Sequence, residues 1–273
     1  IEPMRAGLEM RVAAEDWKDA AIVAGNLAEM QAAAGDLAGA LATAAAGVNH
    51  ADRSKDSFQR MSKRTTHAWA LHLLGRLDDA RAAFAEAERM QAERQPEYPL
   101  LYSLRGAQYC DLLLDLGDAA GARDHATRTL PWAEKHGDLL GIALNHLTLG
   151  RAHAALGDAA RARAQLDAAV TGLRAAGTLD HVPSGLLARA DFLIAGDPER
   201  ARRDLDEVLR IATRGGFVLH QCDAHLVSAR LHVAAGDRDA ARTALASARA
   251  IADRCNYRRR KRELEELETQ AAP

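Results

Sequence analysis

Six near-copies of one short phrase divide this chain into almost equal parts: "AGDLAGALATA", "LGRLDDARAAF", "LGDAAGARDHA", "LGDAARARAQL", "AGDPERARRDL" and "AGDRDAARTAL". Their glycines, Gly35, Gly75, Gly117, Gly157, Gly196 and Gly236, lie 40, 42, 40, 39 and 40 residues apart, which is the period of a repeat architecture. An alanine stands five residues after each glycine, at Ala40, Ala80, Ala122, Ala162, Ala201 and Ala241, where a larger side chain would hold two helices apart. The repeat is therefore a structural unit, and the phrase itself is scaffold.

Each glycine follows a stretch with helical apolar spacing, as in Leu101, Leu104, Tyr109, Leu112, Leu113 and Leu116 before Gly117. A second such stretch begins just after it, often with Asp as the next residue. Glycine ends a helix by taking a left-handed backbone, and Asp caps the free N–H groups of the next, so "GD" reads as a stop followed by a start. Each period is thus a helical hairpin. First helices are expected near 17–34, 55–74, 98–116, 138–156, 181–195 and 217–235. Second helices are expected near 37–51, 78–93, 119–135, 159–175, 198–213 and 238–254. A preceding helix in "MRAGLEMRVAAED" and a closing one in "YRRRKRELEELETQ" bring the total to about fourteen. Strand alternation is absent, so the chain is all-α, a single repeat domain over 1–273 with repeats at about 17–53, 54–96, 97–137, 138–178, 179–216 and 217–255 and a closing helix at 256–270.

Lys plus Arg number 36 and Asp plus Glu 38, a formal charge of −2, so no global field favours nucleic acid. Cys110, Cys222 and Cys255 are widely spaced and odd in number, which signals neither a disulfide framework nor a zinc module and fits a reducing cytoplasm. No apolar run reaches the roughly 20 residues that cross a bilayer, so no membrane partner is expected. The chain begins at Ile1, which suggests an excised piece of a longer protein.

These residues resemble the tetratricopeptide repeat family. That pattern asks for a small residue seven before the glycine, where the chain has Ala28, Ala68, Cys110, Gly150, Arg189 and Ala229, with Arg189 the exception that questions packing in the fifth repeat. It asks for a bulky residue nine after the glycine, met by Phe84, Leu166, Leu205 and Leu245 but not by Ala44 or Ala126. The resemblance implies a right-handed superhelical solenoid of about six hairpins with flanking helices, which holds a protein or peptide partner in its concave groove. Two segments, "DSFQRMSKRTTHAWALHLLGRLDDARAAFAEAERMQ" and "YPLLYSLRGAQYCDLLLDLGD", look like the C-terminal repeat arrays of bacterial STAND-type signalling ATPases. That likeness implies a sensor arm attached to an N-terminal ATPase or effector domain of the same parent chain. The alternative is a structural or oligomerisation scaffold that binds a neighbouring subunit or its own N-terminal domain.

The family resemblance also implies that the row six before each glycine faces the groove. Here it reads Glu29, Trp69, Asp111, Arg151, Ala190 and Arg230, with His72 and Asp115 close by. Glu29, Trp69, His72, Asp111, Asp115, Arg151 and Arg230 are therefore the candidate partner-binding residues. The bland explanation is a solvated helix face of mixed charge, with Trp69 as core. The Lys and Asn set with which chaperone-type arrays clamp a carboxylate is missing.

"HQCDAH" and His232 invite a metal reading, but Cys222, His225 and His232 spread over about 15 Å of one helix face, too far for one zinc ion. His146 and His153 lack a partner carboxylate at readable spacing. No phosphate loop, G-x-S-x-G or H-E-x-x-H occurs, so no catalytic residue, metal or cofactor is assigned. "RRRKR", Arg258 to Arg262, could touch phosphates. Glu263, Glu265 and Glu266 stand four residues after Arg259, Lys261 and Arg262, however, and favour a solvated closing helix laced by ion pairs.

Overall fold

The computed structural model describes residues 1–272, and they fold as helices joined by short turns. Helix α1 (Glu2–Ala13) leads into six antiparallel pairs: α2 (Trp17–Ala33) with α3 (Leu37–Ser54), α4 (Ser57–Leu73) with α5 (Leu77–Arg94), and α6 (Ser103–Asp115) with α7 (Ala119–His136). They continue with α8 (Leu139–Ala155) and α9 (Ala159–Ala175), α10 (Val182–Leu193) and α11 (Pro198–Gly215), and α12 (Val218–Ala234) and α13 (Arg238–Cys255). A 3₁₀ turn at Arg258–Arg260 and α14 (Lys261–Gln270) end the array.

The turn chemistry accounts for the hairpins. Gly35, Gly75, Gly117, Gly157 and Gly236 all adopt φ between 73° and 86°, a left-handed backbone closed to most side chains. The next residue then caps the second helix: Asp36 accepts from the Gly39 amide at 2.9 Å and Asp118 from Gly121 at 2.8 Å, with Asp158, Asp197 and Asp237 doing likewise. Asp16, Asp56 and Asp138 cap the first helices α2, α4 and α8 in the same way. At α5 the position is Arg76, and no side chain caps that helix.

The alanines five after each glycine are completely buried, all six at 0% exposure. The bulky-residue row is buried throughout, Ala44 and Ala126 included. Gly150 shows how close the helices come, since a Cβ there would lie 2.7 Å from Leu166 Cγ and 3.1 Å from the Leu166 amide nitrogen.

Two expectations need correction. Helix α6 begins at Ser103, not near 98, because Pro96 and Pro99 disfavour helical backbone at the residues before them. The side chains of Glu88 and Gln91 hold this stretch instead, Glu88 accepting from the Leu101 amide and Gln91 donating to the Tyr98 carbonyl.

The second correction concerns the fifth hairpin. In the other five, the amide after the glycine reaches back five residues, as from Asp36 to Gln31 and from Asp118 to Leu113. In the fifth, Asp197 reaches back only four, to Leu193 at 2.8 Å, and Gly196 is not left-handed. The turn is one residue shorter, which explains the 39-residue spacing before Gly196. First-helix positions counted back from that glycine are therefore displaced by one. The small residue is Ala190, at 0% exposure, and all six hairpins comply. Arg189 lies beside that contact, buried, with its guanidinium forked on Asp204 through two bonds of 2.8 Å and a third of 3.0 Å to Asp167.

The array curls until its ends meet. Ala32, Leu37, Ala40 and Leu73 of the first two hairpins share one apolar core with Leu219, Cys222 and Leu226 of the last, and with Leu264 and Leu267 of α14. A Cβ on Gly35 would lie 2.6 Å from Cys255 Sγ, and one on Gly75 2.9 Å from Arg258 Cβ. The solenoid is thereby closed into a ring.

Candidate functional site

Closure turns the groove into a central chamber of about 370 Å³. The first helix of every hairpin contributes to its wall: Glu29 from α2, Trp69 from α4, Asp111 from α6, Arg151 from α8, Asp191 from α10 and Arg230 from α12. With the displacement in the fifth hairpin taken into account, this is one structural row, and Asp191 replaces the expected Ala190. Leu104, Leu144, Leu147, Leu187, Leu219 and Val227 supply apolar surface between the charges. Trp69 serves two purposes, lining the chamber while packing against the apolar cores of both the early hairpins and the seam.

Alternating charge along the row produces ion pairs between neighbouring hairpins, Asp111 with Arg151 and Asp191 with Arg230. The basic run near the C-terminus completes the set. Arg259 crosses the seam and grips Asp115, Nε to Oδ2 at 2.5 Å and Nη2 to Oδ1 at 3.2 Å, with Nη1 3.4 Å from Asp111. Arg260 donates to both oxygens of Asp223 at 2.7 and 3.1 Å, and Glu263 accepts from Arg230 and Arg260. The expected pairs Lys261–Glu265 and Arg262–Glu266 form at 3.9 and 2.6 Å. Arg259 does not pair with Glu263, because residues 258–260 form a 3₁₀ turn that aims it inward. The run is not a uniformly solvated cap: the Arg259 side chain is only 6% exposed.

His72 and Asp115 stand behind the wall as part of this clasp. His72 is fully buried, and its Nε2 donates to Asp115 Oδ2 at 2.8 Å. A carboxylate only accepts, so Nε2 carries the proton, and Nδ1 is left without a partner. Burial, reinforced by the Arg259 charge, pushes the His72 pKa down and keeps the ring neutral. Burial opposes charge on Asp115, yet Arg259 and His72 more than offset it and hold its carboxyl far below the usual range.

Other residues reach the chamber unannounced by the repeat. The α9–α10 loop brings in Asp180 and His181, and the start of α12 brings in His220. His220 thus lies apart from Cys222, whose buried Sγ points to the Ala248 carbonyl at 3.4 Å. His146 is hydrogen-bonded to Gln165 through Nδ1 at 2.6 Å. The loop residues belong to no periodic row, so only their place in space reveals them.

The sequence profile of the tetratricopeptide repeat family matches residues 21–46, 64–89, 146–168 and 223–247. Four of the six hairpins are thus of tetratricopeptide type. The matches fall on the first, second, fourth and sixth pairs. The third and fifth pairs lie outside the matches, and theirs are the irregular first helices, with the delayed start of α6 and the shortened turn after α10. Arrays of this kind are protein-interaction scaffolds, each hairpin packing on its neighbours and presenting its first helix inward. No curated protein matches the chain significantly. Among the described residues, no helix is long and apolar enough to cross a membrane.

Proposed function

We propose that this chain is the ligand-sensing arm of a larger bacterial signalling ATPase of the STAND type, and that the ligand, a small molecule or a short peptide segment of a protein partner, lodges in the central chamber. One observation carries the reading: six hairpins and the C-terminal segment all contribute side chains to one cavity, so an occupant touches both ends of the array at once. Its volume lies within the roughly 300–1,000 Å³ of small-molecule sites, and its wall mixes apolar surface with a few fixed polar groups. An occupant that binds the closed ring more tightly than an opened one shifts the balance between them, and an attached nucleotide switch can read that shift. The likeness of two segments to STAND arrays supports the attachment.

The test is native mass spectrometry of the chain purified from its own cells, beside a Leu147→Trp variant that fills the chamber. A bound mass carried by the natural chain and lost in the folded variant is the expected result. If the natural chain carries no adduct, and a partner protein is held equally by both, binding takes place outside the chamber and the reading fails.

A further inference from the structure

We infer that the chamber selects a ligand with a cationic head, an amine or guanidine, on an apolar body, and that Glu29 receives the head, with Asp180 a second carboxylate of the same wall. The inference rests on the chamber reading above. Six carboxylates and four guanidinium groups line the cavity. Every one of the four cations is already engaged: Arg151 with Asp111, Arg230 with Asp191 and Glu263, Arg259 with Asp115 and Asp111, and Arg260 with Asp223 and Glu263. An anionic ligand would meet guanidinium groups whose charge these carboxylates already balance.

The free charge in the wall is negative. Among the described residues no ion pair joins Glu29 to a cation, and Asp180 has only the His181 imidazole, 3.6 Å away. Both carboxylates line the chamber; burial raises the Glu29 pKa, and the charge of Asp180 adds to the rise. Lys63 and Arg105 oppose that rise from behind Glu29, but neither lines the chamber. Lys63 is 8% exposed and packs against Gly25, and Arg105 donates to the Ser62 hydroxyl at 3.1 Å. Both cations thus stand near Glu29 without occupying its chamber side. A half-buried carboxylate without an ion-pair partner, as Glu29 is, gains from a ligand that supplies one. Leu104, Leu144, Leu147 and Leu187 accept the apolar body.

A matched series tests this by titration calorimetry on the intact chain: phenethylamine, phenylacetamide and phenylacetate, then acetyl-Phe-Arg-amide against acetyl-Phe-Glu-amide to separate a free amine from a basic peptide. The amine is expected to bind at least tenfold more tightly than the carboxylate. That preference should fall to within about twofold in Glu29→Gln, while phenylacetamide binds both proteins alike. Asp180→Asn, at an exposed loop position, gives a second readout with a smaller loss should Glu29→Gln fold poorly. Equal or tighter binding of phenylacetate overturns the cationic preference and leaves the chamber as a site. If no probe binds, or Leu147→Trp binds them as the natural chain does, the chamber reading falls with it.

Discussion

Arg189 shows how a residue that breaks a pattern can still be part of the packing. Its guanidinium and the Asp204 carboxylate are both nearly inaccessible, at 10% and 6% exposure. Removing only one partner leaves a buried charge, a loss of about 3–5 kcal/mol, whereas replacing both by apolar groups is often close to neutral. Arg189→Met should therefore lower stability in urea melts by several kcal/mol, and Arg189→Met with Asp204→Leu should recover most of it. His72 makes a different prediction. Its pKa in the folded chain lies below the unfolded value of about 6.5, so its contribution is complete above that pH. As pH falls toward the folded value the unfolded chain takes up the proton first, and stability declines with a slope of up to about 1.4 kcal/mol per pH unit. His50, His67, His220 and His225 are displaced in the same direction. Melting temperature should thus drop between pH 7.5 and 5.5, and His72→Asn should flatten part of that drop.

The hairpins were legible because their signals are local. Glycine, capping Asp and buried Ala recur at fixed offsets, and every second helix lies within a few residues of its expected place. The fifth first-helix was misread by one position because the glycine served as the ruler, and a turn one residue shorter moves the ruler without altering the helix. The caps make a quantitative test. Helix α5 alone among the second helices of the pairs lacks a side-chain cap, and its N-cap is Arg76. Arg76→Ser should raise stability by about 1 kcal/mol, whereas Asp118→Ala should lower it by about as much, both read from urea midpoints. In the helix crossings, Ala162→Leu meets a site with 0% exposure and should cost about 1–3 kcal/mol through overpacking.

The candidate site was only half legible. Five members of the wall row followed from the period, but the Arg259 clasp joins residues 144 apart to Asp115, and no periodic signal reports such a contact. The local spacing to Glu263 even offered a competing partner. Arg259→Ala should loosen the seam: amide exchange in α2, α4 and α12 should accelerate at least tenfold while α9, packed between α8 and α10, stays protected, and small-angle scattering should show a larger radius. Unchanged exchange would mean that the apolar seam suffices. Closure also bears on how such a chain can evolve. An open solenoid tolerates the duplication or loss of a unit, because each unit needs only its neighbours. Here a seventh hairpin would carry Arg259 away from Asp115 and part the core shared by Leu37 and Leu219. Copy number is therefore fixed by a meeting of ends, and variation is confined to substitutions within the six units already present.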